Sequence, residues 1–316
     1  MSKILIIMPN WIGDFLLALS VVKHKASIEN IYITLLVPCH LVKLCQLLCN
    51  MEIIPYNRKP FREFHATINI VRSRKFNVVY ILPPSFSSAW SAFRSGIPRR
   101  RGILRDLRGF LLTDALPESI RNNKQHITCE YSILLETDYN PPEYWQGFPV
   151  EKSKDHTGVI ILCPGSRFGP AKRWPYYKEL VDCLHGKKIV LLGGPEDFSA
   201  GENIEAAFPE RVENLIGKTS LAQAAAIISA AGLVVSNDSG LMHLAGFLGT
   251  PVVGIFGSTS PTWTRPLGKN VIYVKTKCDC SPCFKRTCRF HHYNCMKNIT
   301  PQHVASVADQ LMRGRA

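Results

Sequence analysis

The stretch Pro9-Asn10-Trp11-Ile12-Gly13-Asp14 follows an apolar run, Ile4–Met8, and opens an amphipathic one. Gly13 permits a tight turn. Asp14 falls at the N-terminus of a predicted helix, where a carboxylate either caps the helix or meets a ligand. No GxGxxG follows the run, so a dinucleotide fingerprint is absent there. A second stretch, Cys163-Pro164-Gly165-Ser166-Arg167-Phe168-Gly169-Pro170-Ala171-Lys172-Arg173-Trp174-Pro175, puts a hydroxyl and cations on a loop shaped by Gly and Pro. Ser166, Arg167, Lys172 and Arg173 either cradle a diphosphate there or form a solvated basic loop. A third, Gly193-Gly194-Pro195-Glu196-Asp197, ends in carboxylates that either hold ribose hydroxyls or cap a helix. In the fourth, Asn237-Asp238-Ser239-Gly240-Leu241-Met242-His243, Asp238 and Ser239 are expected to cap an apolar helix. Gly240 would let an anion reach the free N–H groups, and His243 lies one turn in.

Two further clusters are rich in single residue types. Arg94, Arg99, Arg100, Arg101, Arg105 and Arg108 place six arginines in fifteen residues. They read either as a solvated strand or as a patch for phosphates and carboxylates. The loop Cys278-Asp279-Cys280-Ser281-Pro282-Cys283, followed by Cys288, His291, His292 and Cys295, has metal-like spacing but no clean second CxxC. A metal site and a thiol-rich packed loop both remain open.

These motifs need a frame. The chain has 316 residues, more than one hydrophobic core usually serves, so two domains are expected. Apolar runs at Ile4–Met8, Ile31–Val37, Ile53–Ile54, Asn77–Leu82 and Gly102–Ile103 predict strands, with helices at Asp14–Lys23 and His40–Cys49. The pattern restarts with strands at Val159–Cys163, Lys188–Leu192, Val212–Leu215, Leu233–Ser236 and Val252–Phe256. Helices are predicted between them, and a last one at Pro301–Met312. Strand alternating with helix implies two parallel, doubly wound sheets with a Pro-rich linker, Tyr139–Thr157, between them. Their strand ends, and hence the motifs above, are expected to meet a shared cleft.

Composition narrows the classes. Apolar residues make up 46% and charged residues 20%, as in an ordinary globular protein. A net charge of +14 suits nucleic acid, an anionic membrane face or a phosphorylated substrate. Ile4–Met8 is too short for a signal sequence, and the longest uncharged stretches carry too many polar residues for a membrane span. A cytoplasmic chain with reduced thiols is expected from its 11 cysteines.

Taken together, Trp11-Ile12-Gly13-Asp14, Phe168 to Pro175, Gly193-Gly194-Pro195 and Asn237 to Leu244 resemble glycosyltransferase family 9 along nearly the whole chain. The match extends to Gly96-Ile97-Pro98 with Arg100 and Gly102, and to His291-His292-Tyr293-Asn294-Cys295-Met296. The resemblance implies an α/β GT-B fold of two facing Rossmann-like domains. Residues 1–150 would take the acceptor and 151–299 the nucleotide-sugar, with a helix in 300–316 packing back on the first domain. It implies inverting transfer of heptose from ADP-L-glycero-D-manno-heptose to the first heptose of the lipopolysaccharide inner core. Neither a cofactor nor a metal is implied. The partners would be the sugar donor, an anionic glycolipid carrying one heptose and the inner-membrane surface, where the chain would be peripheral; nucleic acid is not among them.

Carried over by position, Asp14 would be the base, and Lys172 the catalytic cation on the donor phosphates. Ser166, Arg173, Glu196, Asp197, Thr219, Asp238, Ser239, Gly240 and His243 would also meet the donor, and Asn10, Trp11, Arg100 and Arg108 the acceptor. Arg167 departs from the pattern, standing where the family branch carries an acidic residue, and Arg289-Phe290 replace a Pro and small residues. Other readings are a family 9 transferase with a different acceptor, of the heptosyltransferase I or III type, and a nucleic-acid-binding protein with a Cys/His zinc loop. A nicotinamide dehydrogenase would need the missing glycine fingerprint.

Overall fold

The computed structural model describes residues 3–29, 31–57, 59, 61–139 and 142–314. Two compact units divide the chain, Met1–Asn140 and Pro141–Ala316. In the first, the strands are β1 (Ile4–Ile7), β2 (Ile33–Pro38), β3 (Glu52–Tyr56), β4 (Val78–Ile81), β5 (Arg99–Ile103) and β6 (Asp114–Leu116). The helices are α1 (Ile12–Glu29), α2 (Val42–Leu48), α3 (Phe61–Ser73), α4 (Phe86–Arg94) and α5 (Ile127–Leu135). β1 and β2 are buried along their whole length, which is why β1 reads as an unbroken apolar run and β2 as one broken only by Thr34. Every described pairing is parallel, in the order β3-β2-β1-β4-β5-β6.

The second unit repeats this plan. Its strands are β7 (Ile160–Cys163), β8 (Ile189–Leu191), β9 (Val212–Asn214), β10 (Leu233–Asn237), β11 (Val252–Ile255) and β12 (Val271–Val274). Its helices are α6 (Tyr177–Cys183), α7 (Phe198–Glu205), α8 (Leu221–Ala230), α9 (Gly240–Leu248), α10 (Pro261–Thr264), α11 (Asn294–Lys297) and α12 (Pro301–Arg313). The parallel order is β12-β11-β10-β7-β8-β9. Counted from each unit's own first strand, both sheets run 3-2-1-4-5-6, the doubly wound order that opens a crevice where strands 1 and 4 lie side by side. Those neighbours are β1 and β4 in one unit and β7 and β10 in the other, so the loops after these four strands are the expected ligand loops.

Two connecting segments are held by packing within the second unit. The Pro-rich segment after Tyr139 is not a bare linker, although its Asn140 and Pro141 lie outside the described residues. The Trp145 indole donates to the Phe247 carbonyl at 2.8 Å, and its ring stands 4.8 Å from the Phe247 ring. Phe148 packs on the same ring, and Glu143 pairs with Arg265 at 2.5 Å. Burying aromatic surface fixes this segment to the second unit. The last helix also packs within the second unit: α12 lies on α6, and Val304, Ala305 and Ala308 join that unit's core.

Candidate functional site

In the second unit the loop after β7 and the start of α9 after β10 lie at the switch point, and side chains bind the two together. Asn237 is buried at the end of β10. Its amide donates to the Pro164 carbonyl at 2.7 Å, and its Oδ1 accepts from the Trp174 backbone N–H at 3.1 Å. The Trp174 indole in turn donates to the Ile299 carbonyl at 2.9 Å. The loop between is shaped by Gly169, whose φ is +141°; a side chain there would meet the Arg286 carbonyl oxygen at 2.6 Å. Phe168 is sandwiched by cations, with Lys172 Nζ 4.6 Å and the Arg286 guanidinium 5.4 Å from its ring centre.

This scaffold delivers Lys172 to Asp238. Nζ and Oδ2 are 2.5 Å apart, Thr259 donates its hydroxyl to the same oxygen at 2.6 Å, and His243 Nε2 lies 3.7 Å from Oδ1. Asp238 is only 4% exposed. Burial pushes its carboxyl up, but Lys172, followed by His243, outweighs burial and holds it well below the usual carboxylate range. Asp238 therefore does not cap α9 as expected, because its oxygens are engaged elsewhere. Ser239 occupies the cap position without a side-chain cap bond, its hydroxyl lying 3.1 Å from that of Ser236. The first N–H groups of α9, beginning at Gly240, are thus not covered by the side chains expected to cover them.

A second cluster adjoins the same loop. Arg173 Nη2 stands 3.2 Å from Asp197 Oδ1, and the guanidinium reaches the Ser166 carbonyl at 3.4 Å. Ser166 and Asp197 are both buried. Burial raises the Asp197 carboxyl, against the pull of Arg173. Asp197 sits at the cap position of α7 but makes no side-chain cap bond. Its carboxylate packs on Gly165, where an added Cβ would lie 1.8 Å from Oδ2, so only glycine fits. Glu196 is exposed and pairs with Arg167 at 3.2 Å, which gives that unexpected arginine a partner. Thr219 is half-buried just ahead of Ser220, whose side chain forms a capping box with Gln223 on α8.

In the first unit Asp14 lies inside the first turn of α1 rather than at its cap. Asn10 and Trp11 are exposed on the turn before it, and His40 Nε2 stands 3.1 Å from the Asn10 carbonyl oxygen. The arginine run splits by the two-residue period of β5. Arg99 and Arg101 form an ion network with Asp114 and Glu136, with closest contacts of 2.6 and 2.7 Å. Arg100, on the other face, donates to the carbonyls of Leu111 at 2.7 Å and Ile97 at 2.6 Å. Arg108 corrects its expected role. It is 0% exposed, and its guanidinium donates to the carbonyls of Ile103, Pro83 and Ser85 at 2.9, 2.7 and 3.1 Å. Burial pushes its pKa down to about 10, which still leaves it charged at neutral pH. It braces the loops after β4 and β5 rather than facing an acceptor.

The family model described as "Glycosyltransferase family 9 (heptosyltransferase)" matches residues 64–294. The chain belongs to glycosyltransferase family 9. Among curated proteins it is 30% identical to lipopolysaccharide heptosyltransferase 2 of Escherichia coli K12, over 98% of both chains. It is also 30% identical to lipooligosaccharide heptosyltransferase 2 of Haemophilus influenzae, over 86% of this chain and 88% of that one. The solved structure of E. coli ADP-heptose LPS heptosyltransferase II aligns with a TM-score of 0.84 at 29% identity, over 99% of both chains. The protein is thus a glycosyltransferase of the α/β GT-B class.

In this family 9 transferase two residues beside the candidate site lay outside the motifs. Thr259 follows β11 in Gly257-Ser258-Thr259-Ser260, a run of small hydroxyl residues at a strand end that was a usable signal. Glu130 had none: it is buried on α5, which packs on α1, and Arg121 reaches it at 3.2 Å. Burial pushes its carboxyl up to about 7; Arg121 pulls it down and the charge of Asp14 pushes it up again. In the cysteine loop, Cys278 and Cys280 sulfurs lie 3.5 Å apart, and His292 is 3.9 Å from Cys288 and 4.0 Å from Cys280. Among the described residues no three His, Cys, Asp or Glu side chains converge to hold a metal.

The buried arginine yields a direct expectation. Arg108→Met should cost about 3 kcal/mol or more of stability, because three carbonyls would lose a charged donor in a closed space. Thermal melting should fall by several degrees. An unchanged melting temperature with a raised acceptor KM would instead restore the acceptor-binding role.

Proposed function

We propose that the protein transfers heptose from ADP-L-glycero-D-manno-heptose to the first heptose of a lipopolysaccharide inner core, with inversion. The observation that carries the donor half is Lys172, set on buried Asp238 beside the uncapped start of α9. Negative charge grows on the ADP phosphates as the glycosidic bond breaks. A fixed cation and a helix N-terminus stabilise that charge where it develops, without needing to reorganise. They do for this leaving group what a divalent cation does in other sugar-nucleotide transferases, so the reaction needs no metal or other cofactor. Arg173, Asp197 and Ser166 lie on the same strand-end loops and contact the donor, with Glu196, Thr219, Ser239, Gly240 and His243 around them.

Asp14 is the base. It takes the proton from the acceptor hydroxyl as that oxygen attacks the anomeric carbon from the face opposite ADP, which inverts the centre. Asn10, Trp11 and Arg100 meet the acceptor. The acceptor is a glycolipid, so the enzyme works in the cytoplasm against the inner membrane. Among the described residues no helix is long and apolar enough to cross a membrane, and attachment would be peripheral.

ADP release is the measurement that tests the reading. It should require both ADP-heptose and an acceptor bearing one heptose. Equal release with an acceptor lacking heptose, or with water alone, would overturn the assignment.

A further inference from the structure

Helix α4 and the loop after β5 of the first unit expose large apolar side chains. Leu107 is 92% and Phe110 72% exposed, and Phe86, Phe93 and Leu104 are also exposed. The aromatic rings form one surface, and Leu107 stands on the turn just ahead of Phe110. The Phe86 ring lies 6.3 Å from both Trp90 and Phe110, and Trp90 lies 6.0 Å from Phe93. Asp106 and Leu107 both take left-handed backbone, with φ of +50° and +54°. Leucine adopts that conformation rarely and at some cost, so the turn holds Leu107 outward against its own preference. An apolar face of this kind on a globular chain marks an interaction site.

The charge around it indicates the occupant. The Arg94 guanidinium lies 5.8 Å from the Trp90 ring centre, and Arg105 is exposed beside Leu104. Acidic groups are also near, since Asp106 and Glu118 stand 3.7 and 3.9 Å from Arg105, but the chain as a whole carries +14. Aromatic rings and leucines fringed by arginine fit the headgroup boundary of an anionic bilayer, where rings lie among headgroups and arginines meet lipid phosphates.

We propose that Leu107 and Phe110, with Phe86 and Phe93 behind them, form the surface by which this protein seats on an anionic membrane. The choice of a bilayer rests on the glycolipid acceptor of the proposed function; the apolar face does not.

The test uses the full chain and vesicles of equal parts phosphatidylethanolamine and phosphatidylglycerol, with phosphatidylcholine vesicles as the neutral control. The wild-type protein should float with the anionic vesicles, and Leu107→Glu/Phe110→Glu should lose roughly tenfold in bound fraction. Both residues are exposed, so the variant should melt with the wild type. Transfer to a soluble, delipidated acceptor oligosaccharide should be unchanged, and transfer to acceptor embedded in vesicles should fall. Equal flotation of variant and wild type, or none by the wild type, would overturn the proposal. So would a particle mass that halves in the variant, which would assign the face to a second copy of the chain. Failure to use the soluble acceptor at all would count against the proposed function and leave the flotation result standing.

Discussion

Asp14→Asn is expected to reduce transfer by about a thousandfold while ADP binding changes little. Loss of a general base ordinarily costs two to four orders of magnitude, and the amide keeps the shape of the carboxylate without its proton affinity. The competing role for this residue is electrostatic support of α1 from its first turn, which amounts to about 0.3–1 kcal/mol. The two roles separate cleanly: one shows in turnover, the other in melting temperature. Single-turnover transfer, ADP titration and a melting curve on the same preparation decide between them. Retained turnover with a small drop in stability would remove the base assignment and leave a helix-supporting carboxylate.

Lys172→Ala is expected to act on stability and on donor use at once. Removing the lysine strands Asp238, which is 4% exposed, as a buried charge without its cation. Such losses run to about 3–5 kcal/mol. The folded carboxyl lies below its ordinary value of 3.8, so the pair's contribution is present above that pH and is lost only as pH falls through the depressed folded value. The stability deficit of the variant should therefore hold across the neutral range and shrink only in strong acid. A second variant separates folding from chemistry. Lys172→Met with Asp238→Asn leaves no unpaired charge and should recover most of the melting temperature. The donor KM should stay raised by roughly ten- to a hundredfold, with the acceptor KM little changed. Comparable losses for both substrates, or recovery of donor use in the double variant, would count against a cation for the donor phosphates.

How far the sequence could be read depended on how local each signal was. β1, β2, β7 and β10 stood out because strands buried on both faces are mostly apolar, with Thr34, Ser236 and Asn237 as the polar exceptions. β6 and β12 were missed; both are short edge strands, and neither is buried along its whole length as the strands that stood out are. The helices α3, α4 and α5 were missed as well, and α3 mixes Arg, Glu and His with its apolar residues. In the site, Ser166, Lys172, Arg173 and Asp238 were legible because Gly and Pro punctuate the strand-end loops that hold them. What each side chain would touch was not. Arg100, Arg101 and Arg108 look alike in sequence, yet one donates to backbone carbonyls on one face of β5, one joins an ion network on the other, and one is sealed inside. Glu130 was invisible because its nearness to Asp14 comes from α5 packing on α1, not from its neighbours in the chain.

The anchoring of Trp145 on Phe247 bears on how such enzymes can trade parts. If relatives that share this plan exchange acceptor specificity by swapping their N-terminal halves, the splice belongs near residue 140, where the first compact unit ends. A splice there carries the indole along with the ring it covers. A junction ten residues later would import a foreign segment onto that ring, and the hybrid would inherit a mismatched seam in its second unit before its new specificity could be assayed.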